Sequence, residues 1–218
     1  GFEGGAGPDW QTWQGALSRG VISLPEQAQR WQLESAAALA YGAGGELTFG
    51  NHCWRWQQST VCAEDQTLLP VPRIAYRIDR FPTVALAPLL PETLRWDARI
   101  NGEIDFTTTA DGPDGRIFLD AGDGEFQLLV EGEWESLAYN ALTTELSLKP
   151  QQADLSLRLS GPELGEFALD LGLDPNSDER NVEGSFQLEG LDIALAGLLS
   201  GLDEVAGRVN GQGQLSGP

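Results

Sequence analysis

The residues able to do covalent or metal chemistry are few. Among 218 residues there is one histidine, His52, and there are two cysteines, Cys53 and Cys62. A zinc site built on His and Cys could use only these three, crowded into one short stretch, and a Ser-His-Asp triad could use only His52. His52 lies beside a Trp-rich run and is read as an ordinary surface histidine. Carboxylates are plentiful, so metal sites made of Asp and Glu alone need checking. GGAGPD (4–9) matches a calcium-binding nonapeptide start, but it occurs once and Gln11 stands where an apolar residue is required. DGPDGRIFLDAGDG (111–124) clusters Asp and Gly without the EF-hand's alternate ligands and final Glu, and reads as two hairpin turns. No GxSxG, Walker loop or helix-opening GxGxxG occurs. The expectation is therefore no enzyme, no catalytic residue, no cofactor and no metal.

Cys53 and Cys62 have a different use. CWRWQQSTVC (53–62) reads as a hairpin turning at Gln57-Gln58, with Trp56 opposite Ser59, Arg55 opposite Thr60, Trp54 opposite Val61 and Cys53 opposite Cys62. Counted outward, the cysteines form a non-hydrogen-bonded pair, the type with the closer Cα atoms. A Cys53–Cys62 disulfide on the wet face is expected, and with it an oxidising compartment. The alternative is a reduced pair of half-buried thiols. Gln57-Gln58 is a poor turn dipeptide, which makes the register the weak point.

These residues must be positioned by strands, because the dominant period is two. In RWDARINGEIDF (95–106), one face carries Trp96, Ala98, Ile100, Gly102, Ile104 and Phe106 and the other carries the charges. The same alternation places Phe126, Leu128 and Val130 together, then Leu142, Leu146 and Leu148. It continues with Leu155, Leu157 and Leu159, with Phe167, Leu169 and Leu171, and with Phe186 and Leu188. Asp-Gly, Lys149-Pro150, Gly161-Pro162 and Asp174-Pro175 punctuate the runs like turns of a meander. The expectation is an all-β, elongated antiparallel sheet with one apolar face and one acidic, wet face. Near 83–94 and 192–202 the spacing shifts toward 3.6, predicting two short apolar helices packed on the apolar side, the second capped by Asp192. Leu86, Leu89 and Leu90 would match Leu195, Leu198 and Leu199.

Those two segments belong to a repeat. Residues 84–106 align without a gap over 193–215, with Ala85/Ala194, Leu86/Leu195, Arg99/Arg208, Asn101/Asn210 and Gly102/Gly211 identical. The division expected is an N-terminal set of strands with the cysteine hairpin (1–68) and a repetitive β part (69–218), continuous with each other and part of a longer chain.

Charge narrows the partners. Lys plus Arg is 13 against 33 Asp plus Glu, a net −20, which excludes the basic footprint of a nucleic-acid binder and disfavours docking on anionic lipid headgroups. No apolar run approaches the roughly 20 residues of a membrane-spanning helix.

The ALAPLLP-type segment, the RINGEIDF and RVNGQGQLSGP strands, CWRWQQSTVC and the Leu-alternating run GEWESLAYNALTTELSLKPQQADLSLRLSG together resemble the C-terminal region of the TamB family. These are the translocation and assembly module subunits of Gram-negative bacteria, which are similar in turn to AsmA-like, bridge-like lipid-transfer proteins. The resemblance implies a periplasmic β body curled into a trough with an apolar concave face, an inner-membrane anchor elsewhere in the chain, and the outer-membrane barrel TamA as a partner. It also implies conduction of lipid acyl chains between the membranes or, alternatively, assembly of outer-membrane protein clients through strand pairing. A third possibility is a closed sandwich. The expected lining is Trp96, Ile100, Ile104, Phe106, Phe126, Leu128, Val130, Leu142, Leu146, Leu148, Leu155, Leu157, Leu159, Phe167, Leu169, Leu171, Phe186 and Leu188.

Overall fold

The computed structural model describes residues 1–8, 11–24, 29–174, 181–195 and 206–217. The described chain is mostly antiparallel strand with little helix, as the two-residue period requires. It falls into two compact units, Gly1–Phe81 with Asn101–Ile117, and Pro82–Ile100 with Phe118–Pro218. The expected division after residue 68 falls inside a strand of the first unit.

The first unit is woven. Its strands are β1 (Phe2–Ala6), β2 (Trp13–Leu17), β3 (Val21–Leu24), β4 (Gln29–Leu33), β5 (Ala37–Tyr41), β6 (Leu47–Phe49), β7 (His52–Trp56), β8 (Ser59–Ala63), β9 (Gln66–Leu69) and β10 (Arg73–Pro82). One run pairs as β1–β2–β5–β6–β9. The other pairs as β3–β4–β7–β8–β10. The chain makes a hairpin in one run, crosses to the other, makes a hairpin there and crosses back. Both runs supply the buried side chains: Ala37 and Gln66 from the first, Gln29, Trp31, His52, Ser59 and Ala63 from the second. Trp31 stacks on Phe81 at 5.6 Å and lies 6.1 Å from Trp56. Phe81 faces inward because Arg80, at φ 50°, interrupts the alternation that places Tyr76 and Ile78 on that side.

The second unit holds β11 (Leu94–Asp97), β14 (Gly124–Val130) and β15 (Glu133–Tyr139), which form a small sheet of their own in the order β11–β14–β15. It also holds the meander β16 (Ala141–Lys149), β17 (Gln152–Gly161), β18 (Gly165–Leu173), β19 (Val182–Asp192) and β20 (Arg208–Gly217), paired in sequence order. The strands β12 (Arg99–Thr109) and β13 (Gly112–Asp120) each contribute residues to both units.

Three sequence expectations change here. The run from Arg95 to Phe106 is not one strand. It breaks at Ala98, whose N–H donates to Thr83 Oγ1 at 2.9 Å and whose carbonyl accepts from Thr83 N at 3.2 Å. The segment 83–94 is not an α-helix but a seven-residue 3₁₀ helix, Thr83–Leu89, followed by β11. Pro88 inside it lacks a donor, and Leu90 already has extended geometry. Leu89 is 81% exposed, so it plugs nothing. Of the second expected helix, Ala194 and Leu195 are helical and residues 196–205, with Leu198 and Leu199, lie outside the described residues. Asp192 does accept from Ala194 N at 2.9 Å, the bond of an N-cap.

Candidate functional site: the apolar face of the meander

The register of β16 to β19 decides which side chains share a face. Leu142 lies opposite Leu159, Thr144 opposite Leu157, Leu146 opposite Leu155 and Leu148 opposite Ala153. Leu155, Leu157 and Leu159 then face Leu171, Leu169 and Phe167. Leu169 pairs with Phe186 and Phe167 with Leu188. Because strand side chains alternate, every residue in these pairs lies on one side of the sheet. Thr144 is the one polar side chain among them. The other side carries Glu145, Asp154, Arg158, Glu166, Asp170, Glu183 and Glu189. There Arg158 bridges both carboxylate oxygens of Asp170 at 2.8 and 3.0 Å.

None of the leucines and phenylalanines on the apolar side reaches full burial; Leu173 is exposed, the others are half-buried, and only Ala153 at its edge is buried. Each is flanked by apolar cross-strand neighbours, which removes the sides of the side chain from water and leaves its outer end. A sheet face covered by a second layer buries such residues, so this is an apolar surface without full protein cover among the described residues. Toward β20 the face is lined by glycine. Gly211 and Gly213 lie opposite Leu188 and Phe186, and a Cβ on Gly213 would meet the Phe186 ring edge, which occupies that space.

Of the other expected lining residues, Trp96, Phe126, Leu128 and Val130 belong to the small β11–β14–β15 sheet. Trp96 and Phe126 are paired across β11 and β14, and with Tyr139 they form an aromatic cluster: Trp96–Phe126 at 5.8 Å, Phe126–Tyr139 at 5.0 Å, and Trp96 Nε1 donating to Tyr139 Oη at 2.8 Å. Burial pushes the Tyr139 phenol above its ordinary range, against the opposing effect of the Trp96 hydrogen bond. Leu128 and Val130 lie in the same small sheet, and Ile100 is buried at 6% exposure. Ile104 and Phe106 belong to the first unit. The residues from Leu142 to Leu188 share one continuous sheet face. The break at Ala98 left no mark in an uninterrupted alternation, so sequence periodicity could not reveal it.

The cysteine hairpin has the expected register, with Cys53 opposite Cys62, and the disulfide is formed with Cα atoms 4.0 Å apart. It lies on the face opposite His52, Trp54 and Trp56, beside the exposed Arg55, which pairs with Glu34. The Gln57-Gln58 turn is made by Gln57 at φ 53°, and Gln58 Oε1 accepts from Arg80 Nη1 at 3.2 Å. His52 is not at the surface. It is 4% exposed, 4.2 Å from the Phe49 ring, with Nδ1 2.9 Å from the Gly50 carbonyl. Its place on the inward face of β7 follows from the alternation of Trp54 and Trp56, the signal that would have located it. Among the described residues no group of His, Cys, Asp and Glu is arranged to hold a metal ion.

The whole chain, residues 1–218, matches the family model described as TamB, N-terminal domain, and the chain belongs to that family. The match is to an N-terminal domain, and it gives no support to the placement in a C-terminal region or to the AsmA-like relationship. No solved structure matches. Membership is consistent with a role in the translocation and assembly module, with a TamA-type partner and with an envelope location. Among the described residues no helix is long and apolar enough to cross a membrane.

Proposed function

We propose that this segment binds lipid acyl chains along the apolar face of β16–β19 and conducts them through the periplasm between the inner and outer membranes, without catalysing a reaction. The observation that supports this is the row of leucines and phenylalanines on one side of β16–β19 that stay partly exposed among the described residues. An acyl chain needs apolar area and no directional contact. Each methylene it buries gains about 0.8 kcal/mol. Thr144 is a small interruption, and the acidic residues sit on the other side, so an anionic headgroup is kept off the track's back. The sheet curled into a trough would hold the chain lengthwise.

A photo-crosslinking residue at Leu157 in the full-length protein tests the reading, with the same residue at Ser156 on the opposite face as the control. Lipid adducts at 157 and none at 156 are expected. Equal yields, or none at either position, would overturn it. A second reading, assembly of outer-membrane protein clients together with TamA through strand pairing, is favoured by β3, where Val21, Ile22 and Leu24 are exposed on a strand paired only with β4 among the described residues. Proline at Ile22 would then abolish client capture and leave lipid adducts at 157 unchanged.

A further inference from the structure

The two sulfurs of the disulfide have opposite surroundings. Read across the strands of the first unit, one row carries Glu34, Cys53, Cys62 and Arg77. Leu33 lies opposite Trp54, and Glu34 N donates to the Cys53 carbonyl at 2.9 Å, which places Glu34 beside Cys53. Cys53 lies opposite Cys62, and Cys62 opposite Arg77. Glu34 shares the face of the cysteines, because it pairs with Arg55, two residues from Cys53 on that face. One sulfur therefore has a carboxylate as its cross-strand neighbour and the other a guanidinium. Arg77 is held only loosely by Glu103, at 3.7 Å and with side chains 71% and 63% exposed. Arg55 along the strand from Cys53 and Glu64 along from Cys62 have the reverse signs. They lie about 7 Å along a strand against about 5 Å across it, and Arg55 is already engaged by Glu34.

Access is unequal in the same sense. Both cysteines are half-buried. A surface cleft of about 550 Å³ opens beside Cys53, which lines it with Ser35, Asn51, Glu64, Asp65 and Arg73. Cys53 supplies the only sulfur among the described residues lining that cleft. Ser35 lies past the end of β4 at Leu33, on the side of Cys53 away from Cys62. A disulfide opens when a thiolate attacks one sulfur, at a rate set by access to that sulfur and by the stability of the thiolate expelled. Attack at Cys53 Sγ comes through the cleft and expels the Cys62 thiolate beside Arg77. Attack at Cys62 Sγ comes from the Arg77 side and expels the Cys53 thiolate beside Glu34. Access and charge select the same sulfur.

We propose that Cys53 is the exchange sulfur of this bridge, the site at which a dithiol oxidoreductase of the C-x-x-C class forms a mixed disulfide with the chain. In the opening direction the attacking thiolate bonds to Cys53 Sγ, the Cys53–Cys62 bond breaks, and its electron pair stays on Cys62 Sγ. The second thiolate of the oxidoreductase then attacks its own partner sulfur and releases Cys53. The dithiol is oxidised by two electrons to a disulfide, the bridge is reduced, and the two protons of the dithiol end on Cys53 and Cys62. Closing runs the same steps backward, with the Cys62 thiolate as nucleophile. The inference stands on the first unit alone and is independent of the acyl-chain reading.

The test traps the intermediate. The full chain in its oxidised form is mixed with a reduced C-x-x-C oxidoreductase whose second cysteine is replaced by serine, and separately with reduced glutathione. Each reaction is acid-quenched within seconds and peptide-mapped by mass. In both arms adducts at Cys53 are expected to outnumber those at Cys62 by about tenfold, with Cys62 recovered as the free thiol. Arg77→Ala should slow adduct formation about threefold and remove its dependence on ionic strength, and Arg77→Lys should restore both. Adducts mainly at Cys62, equal adducts at the two sulfurs, reaction with glutathione but none with the oxidoreductase, or adducts that form only in denaturant would each overturn the proposal.

Discussion

The woven first unit and the β16–β19 meander are built from similar alternating strands, yet they treat their apolar faces differently. In the first unit, Trp31, Ala37 and Ala63 are buried, together with the polar Gln29, His52, Ser59 and Gln66. In the meander, leucine and phenylalanine line one face almost without a break, and none of them is fully buried. A shortage of leucine and phenylalanine in the meander does not explain this, since its strands carry more of the two together than β1–β10 do. The chain path does. Crossing after each hairpin supplies two runs whose side chains are buried, whereas strands paired in sequence order make a single run whose leucines and phenylalanines are not fully buried among the described residues. The first arrangement uses its apolar face for stability, and the second is the one on which the proposed acyl-chain track rests.

The comparison is sharpened first by Trp31→Ala, which removes a ring packed against Phe81 and Trp56 and should cost about 3–5 kcal/mol in denaturant unfolding. Leu157→Ala in the meander should cost less, about 1–2 kcal/mol, since part of its side chain is already in contact with solvent. A cost at Leu157 equal to that at Trp31 would erase the distinction. Replacing both Cys53 and Cys62 by serine reopens a loop closed across nine residues of separation and should cost roughly 2–3 kcal/mol, lowering the melting temperature of the first unit.

The next effect is smaller and lies in the aromatic cluster. Tyr139→Phe leaves the Trp96 indole N–H without its acceptor, an expected loss of about 1–3 kcal/mol. The sign with pH is fixed by the raised phenol. Stability from the neutral Tyr139 is fully present below the unfolded value near 10 and is lost as pH rises through the higher native value. Alkaline titration of the melting temperature should therefore show a fall in the parent that is missing in Tyr139→Phe. Asn210→Ala removes the acceptor for Gly190 N and should cost about 1 kcal/mol. Arg158→Ala breaks an exposed pair and should shift stability by no more than about 0.5 kcal/mol, vanishing in high salt.

How much of this was legible follows the same division. Strict alternation identified the strands of the meander and which residues share its face, because a one-residue slip would exchange the two faces wholesale. The cysteine hairpin was readable because two-residue loops fix the register on both arms. The break at Ala98 was not, since Thr83, fifteen residues earlier in the chain, makes it with a side-chain hydroxyl that carries no periodic signature. The apolar spacing of ALAPLL is helical, which points to an α-helix, but Pro88 lacks the N–H donor that an α-helix would need there, and the segment is 3₁₀. The weaving of the first unit was equally hidden. Alternation says which face is apolar, but not which strand crosses to which run.

The account's central claim, that the β16–β19 face is open, is tested most directly by single charge insertions read as thermal melts: Leu157→Asp and Leu169→Asp against Ala37→Asp. Water can reach a carboxylate on an uncovered face, so both meander variants should fold and melt within several degrees of the parent. Ala37→Asp, with no exposure at all in the parent, should fail to fold. If Leu157→Asp and Leu169→Asp unfold like Ala37→Asp, the face is a closed core and the account is contradicted.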